Sequence, residues 1–342
     1  MKIVYAFVVF LLMSFTHLQA QEITNPGQYM DAISKQQENI SKRYMSYVSA
    51  SAHGKRERKV ENLRNKLLAE IEEAKSNIQA LPGYNGDKSY RDTAVNFMKF
   101  YYNVMNDDYN KIINMEEIAE QSYDEMEAYL LLQEKIQEKL SEANNKLSLA
   151  AKTFAANNKV NLVESTSALN EMMKEVGGVS KHYHEVYLVF FKPYIQEKNM
   201  LAAIAKGNMT GMEQSRSAML KYAQEGLVKL STMTGFNGDK SIVYSCKSML
   251  NFYVKEAEKS STISDFFLTK EKFENIKKEM EKKSSKSKED IDAYNKGVND
   301  INKAAEVYNN NNNELNNMRN EKLNEWNKSV KTFFDEHTPR YK

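Results

Sequence analysis

Two heptapeptides, GYNGDKS at 83–89 and GFNGDKS at 235–241, set a lysine and a serine behind paired glycines, the composition of a loop that cradles phosphate. Such a loop requires G-x-x-x-x-G-K-[ST] after a strand, so that successive backbone N–H groups converge on the anion. Here Asp87 and Asp239 stand between glycine and lysine, where a carboxylate repels phosphate, and an amphipathic stretch of helical period precedes each. A calcium loop needs alternating oxygen ligands closed by a bidentate Glu, and only Asn85 and Asp87 are at hand. The reading left is a corner between helices. Gly83 and Gly235 take the left-handed conformation that ends a helix, Asn-Gly turns the chain, and Asp87 and Asp239 cap the next helix.

Histidine offers little more. Outside the apolar leader there are His53, His182, His184 and His337. In SKHYHEVY, His182 and Glu185 lie three apart and share a helix face, which supplies two metal ligands where zinc takes three or four. A carboxylate-bridged di-iron bundle needs Glu-x-x-His on two helices, and that motif does not occur. Neither does Gly-x-Ser-x-Gly or His-Glu-x-x-His. Cys246 is the single cysteine, so no internal disulfide can form. It aligns with Ala94 and reads as a small buried side chain. The dense carboxylates of 115–127 read as a solvated face. No catalytic, cofactor-binding or metal residue is assigned, and the expectation is a protein that is not an enzyme. The Tyr-rich run 96–109 exceeds one core stripe, since Tyr101 and Tyr102 cannot both face inward; the run reads first as bundle core and rim, and second as exposed Tyr suited to a protein or glycan partner.

The elements carrying these residues follow from pattern. Residues 1–20, one Lys and then an apolar run ending in LQA, read as a secretory signal peptide. That run is too short to span a bilayer. Export to the periplasm, the cell surface or the extracellular space of a Gram-negative-type bacterium is expected. With 48 basic against 46 acidic side chains, no global field draws nucleic acid. Four Pro and 12 Gly in 342 residues, with abundant Lys, Glu, Met and Ala, point to an all-α chain.

The chain also resembles itself. The corner returns 152 residues on, and at that offset Glu61 and Arg64 answer to Glu213 and Arg216, and FMKFY (97–101) to MLNFY (249–253). SYDEMEAY (122–129) matches SKEDIDAY (287–294), and AAKTF (150–154) matches AAEVY (304–308), which predicts a fourth helix eleven residues shorter in the second half. The expected architecture is two tandem duplicated up-down bundles, elongated, at 21–176 and 177–342. Helices are predicted near 28–53, 56–81, 88–118, 122–157 and 161–176, with the second half from 179. Breaks are expected at His53-Gly54, Gly177-Gly178, 206–208 and the Asn runs at 157–158 and 309–313. Val60, Leu63, Leu67, Ile71, Ala74, Ile78 and Leu81 form one buried stripe. Pro193 is expected to kink its helix, and VYLVFFKPYI (186–195) is the one run that could pass for a strand. Whether 161–176 packs on the first bundle or joins a long inter-bundle helix stays open. Apolar stripes left outside permit a homo-oligomer.

With its leader, twin G[YF]NGDKS corners and Sx[DE][DE] helix starts, the chain resembles an uncharacterised family of exported helical surface proteins of spirochaetes and Bacteroidetes-type bacteria. That resemblance implies a cell-envelope location and brings no catalytic residues. It is also similar to imelysin-like exported proteins, which are duplicated helical bundles bearing Gly-x-His-x-x-Glu. His182 and Glu185 match the end of that motif, Ser180 replaces its Gly, and aligning Tyr29 with Tyr183 sets Gln28 opposite His182. The expected function is a non-enzymatic envelope scaffold or adhesin-like binding module. The alternative is a metal- or haem-linked binding protein using His182 and Glu185.

Overall fold

A computed structural model describes residues 23, 25–108, 118–163 and 167–341. The expected leader, and residues 109–117 and 164–166 of the predicted helices, lie outside them. Within the described residues the chain is all-α: α1 (Pro26–Ala52), α2 (Glu57–Ala80), α3 (Ser89–Asn103) continued by a π-helical turn at Val104–Asp108, α4 (Tyr123–Asn157), α5 (Ala168–Ala205), α6 (Met209–Thr232), α7 (Ser241–Lys259), α8 (Ser261–Lys282) and α9 (Lys288–His337).

Capping chemistry sets most of the starts. Asn25 accepts the Gly27 N–H at 2.7 Å ahead of Pro26, Ser122 accepts from Glu125, Ser167 from Asn170 and Asn208 from Gly211. Ser287 and Asp290 exchange bonds in a capping box. The 186–195 run is helical. Val186, Val189, Phe190, Phe191 and Ile195 are buried against neighbouring helices, and that packing outweighs a modest intrinsic preference.

The apolar side chains gather in two cores. In the first, α1, α2, α3 and the C-terminal part of α4 enclose Tyr29, Ile33, Leu67, Ile71, Ile78, Met98, Leu147 and Phe154. The predicted α2 stripe forms its floor: Leu67, Ile71, Ala74 and Ile78 are fully buried. The second core lies among α5, α6, α7 and α9 and takes in Ala119 and, from the start of α4, Met126 and Leu130. One helix therefore serves both cores.

Two predicted breaks are absent. Gly177 and Gly178 lie inside α5, which resolves the open question in favour of a continuous helix from Ala168. A Cβ on Gly178 would meet the Phe236 ring at 3.0 Å, so this glycine provides a close approach and not an end. Pro193 also sits within α5, buried in the second core. The Asn run 309–313 lies mid-way along α9, where Asn311 Nδ2 donates to Thr262 Oγ1 at 3.1 Å and Glu314 pairs with Lys255 at 2.9 Å and with Lys259. Asn is a weak helix former, and tertiary contacts carry it here.

The helix α9 corrects a third expectation, since it has 50 residues against 35 in α4. At about 1.5 Å per residue it is roughly 75 Å long. The AAEVY match was misleading. Phe333, 179 residues beyond Phe154, fills Phe154's place at the second corner. The second-half helix is thus longer by about four turns.

Candidate functional site

Both heptapeptides form helix-to-helix corners of one design. Asp87 N–H donates to Tyr84 O at 3.0 Å, and Asp239 N–H to Phe236 O at 2.9 Å, closing two-residue Asn-Gly turns. Positive φ falls at Asn85 (50°) and Gly86 (85°), and at Asn237 (49°) and Gly238 (90°), as such a turn demands. Gly83 and Gly235 do not carry the left-handed conformation expected of them. Their role is space, because a Cβ on Gly235 would lie 2.2 Å from Asp239 O, and one on Gly83 would lie 3.1 Å from Asp87 O. The N-cap positions fall to Lys88 and Lys240, and the aspartates bind the helix starts from one residue further out: Asp87 Oδ1 accepts the Ser89 N–H at 2.8 Å and Asp239 Oδ1 the Ser241 N–H at 2.7 Å. Both sit below the usual carboxylate range. For Asp87 the Ser89 bonds are the main cause; for Asp239 burial opposes, and the Ser241 and His337 bonds outweigh it.

What each corner packs against differs. At the first, Tyr29, Tyr84, Tyr90 and Phe154 cluster with centroids 5.3 to 5.6 Å apart, and Tyr29 Oη donates to Pro82 O at 2.9 Å. At the second, His182 takes the place of Tyr29, an offset of 153 that differs from the alignment expected above. Its ring lies 6.1 Å from Phe236 and 5.8 Å from Phe333. His182 Nε2 is buried without a hydrogen-bond partner, and burial lowers its pKa.

From α9, His337 adds a ring 5.3 Å from Phe236 and 4.8 Å from Phe333 and brings Nε2 to 2.8 Å from Asp239 Oδ2. Glu336 completes a group whose ligand atoms lie within 4.8 Å of one another. Asp239 and His337 are half-buried and Glu336 is exposed. Among the described residues this is the group of three able to hold a metal, and it contains neither His182 nor Glu185. Glu185 is exposed, whereas His182 turns into the ring cluster. The sequence hid this group because its members are about 100 residues apart, and His337 lacks any companion at helical spacing save its neighbour.

The C-terminal tail braces the same end of the molecule. The His53 side chain, 3 % exposed, meets Asp335 at 2.7 Å, and Tyr341 N–H donates to Ser49 Oγ at 3.0 Å, tying α9 to the end of α1.

Elsewhere, Tyr101 is buried and Tyr102 half-buried. A groove of about 310 Å³ runs between α5 and α9, lined by Tyr183, Tyr187, Phe190, Tyr194, Trp326 and Val330. Phe190 and Trp326 stack at 4.7 Å. Cys246 is fully buried, as is Ala94, and burial pushes its thiol far up, which leaves it inert as a nucleophile. No candidate span for crossing a membrane occurs among the described helices. In comparisons with known proteins, no protein family, no curated protein and no solved structure matches the chain.

Proposed function

We propose that the chain is an exported, non-enzymatic scaffold or binding module of the cell envelope, which works by presenting helix faces to a protein or glycan partner. The observation that carries this reading is the arm formed by α8 and the first half of α9. Ile263 is the one buried side chain of α8, and Gly297 the one buried residue of α9 before Leu315. The two helices hold each other through a thin seam, Phe266 on Tyr308 at 4.9 Å and Phe273 on Tyr294 at 5.5 Å, with Gly297 leaving room for Phe273. Lys283 and Asp290 pair at 2.6 Å across its tip. An arm that buries so little contributes little to either core, and it extends the surface on which a partner can sit. The aromatic groove between α5 and α9 offers the second such surface, with ring faces suited to sugars or apolar peptide side chains.

Protease treatment of intact cells tests location: cleavage of the arm without lysis is expected, and full protection until the cytoplasm is opened would overturn the reading. Deleting 266–308 and closing the gap with a short turn is expected to preserve the helical signal of the remaining chain while removing whatever complex the whole protein forms at the envelope.

A further inference from the structure

From the geometry of the second corner we infer a binding site for a borderline divalent transition metal of the zinc class, built from Asp239, Glu336 and His337. An imidazole nitrogen with two carboxylates is a donor set that suits zinc, whereas calcium and magnesium take oxygen ligands alone. The three ligand atoms lie within 4.8 Å of one another, and zinc held at about 2.0 to 2.2 Å by each needs them roughly 3 to 4 Å apart. Zinc binding therefore opens the 2.8 Å His337–Asp239 hydrogen bond by a fraction of an ångström and draws the exposed Glu336 carboxylate in to complete the set.

Two of the three ligands are also held in place before any ion arrives. Asp239 is fixed by the Ser241 N–H at 2.7 Å and by the Ser241 hydroxyl, which donates to Oδ2 at 2.9 Å. Phe236 and Phe333 both pack on the His337 ring, one edge-on and one tilted, and on each other. His182 rests on the same two rings with a buried, unpartnered Nε2, outside the group of three. Bound metal would rivet α9 to the α6–α7 corner, next to the His53–Asp335 contact that ties α9 to α1.

The first corner shows that the fold does not require this set. Asp87 has the place of Asp239, but the residues three and four beyond Phe154 are Asn157 and Asn158, and Asn158 Nδ2 donates to Phe154 O at 2.9 Å. The same backbone corner thus closes with amides in one half and with potential ligands in the other.

The test is calorimetric titration of Zn²⁺ into the purified protein, with Co²⁺ absorption reporting nitrogen and oxygen ligation. One equivalent is expected to bind, and the double variant Glu336→Asn, His337→Asn, which rewrites the second corner as the first, is expected to weaken it by at least about tenfold with unchanged circular dichroism. The exposed single variant Glu336→Gln is expected to weaken binding as well and serves if the double variant does not fold. Absence of Zn²⁺ binding by the wild-type protein, or binding of equal strength in these variants, would overturn the site.

Discussion

The two cores share corners, caps and an Arg64/Arg216 anchor, yet differ at their centres. In both, an arginine paired with a glutamate three residues earlier donates to a carbonyl 41 residues on: Arg64 to Met105 O at 2.9 Å, and Arg216 to Ala257 O at 3.0 Å. Above these anchors the first core is apolar and aromatic, with Tyr44 6.4 Å from Tyr101 and Val104 buried nearby. At the matching positions the second core places Glu197 and Glu256, 2 % and 1 % exposed, joined through Arg319 from α9. A uniform scaffold can therefore hold either an oily centre or an ionic one. The second depends on Arg319 staying between the two buried carboxyl groups.

Breaking that arrangement should give the largest effect. Arg319→Met leaves two carboxyl groups without a counter-ion and is expected to destabilise the second core by about 3 to 5 kcal/mol in a denaturant titration, with the first core unfolding separately and unchanged. Equal loss in both cores would mean that the shared helix α4 makes them one cooperative unit.

Next come the corner glycines. Both new Cβ atoms would meet a lysine Cγ at 2.9 Å, but Gly235→Ala forces its Cβ against backbone at 2.2 Å whereas Gly83→Ala meets backbone at 3.1 Å. The first should cost about 1 to 3 kcal/mol and the second visibly less, read as the difference in thermal midpoint between the two variants. Reversal of that order would refute the tighter packing of the second corner.

The pH dependence is smaller and more specific. Burial raises the Glu256 carboxyl far above the ordinary 4.5, with Glu197 adding to the shift and Arg319 opposing it. A carboxyl that holds its proton more tightly when folded contributes stability below about 4.5 that is lost as pH rises toward the raised value. Stability of the second core should fall across that window, and Glu256→Gln should flatten the slope. An unchanged slope would show that Glu256 titrates normally. Smallest of all, Asp87→Ala should cost about 1 kcal/mol through the lost bond to the Ser89 N–H at the helix start, measured by the same denaturant titration.

Much of this was legible beforehand. The α2 stripe, the Ser122 and Ser287 caps, the burial of Cys246 and the corners themselves follow from periodicity, short-range hydrogen bonding and the backbone freedom of Asn-Gly, all of which act within a few residues. The glycines were legible as necessary but not for the right reason: Gly83 and Gly235 serve a close approach that only the folded corner defines. The same holds for Gly178, which looked like a break until the Phe236 ring was found against it.

Composition and local pattern by themselves determined that the chain is helical and where most helices begin, because propensity, capping and amphipathic period are properties of neighbours in sequence. Only the tertiary structure decided that α9 runs unbroken through its asparagines, that α4 is divided between two cores, that Glu197, Glu256 and Arg319 meet, and that His337 reaches Asp239. Those contacts join residues some 60 to 120 positions apart, and their energies depend on desolvation and distance, which no spacing along the chain encodes.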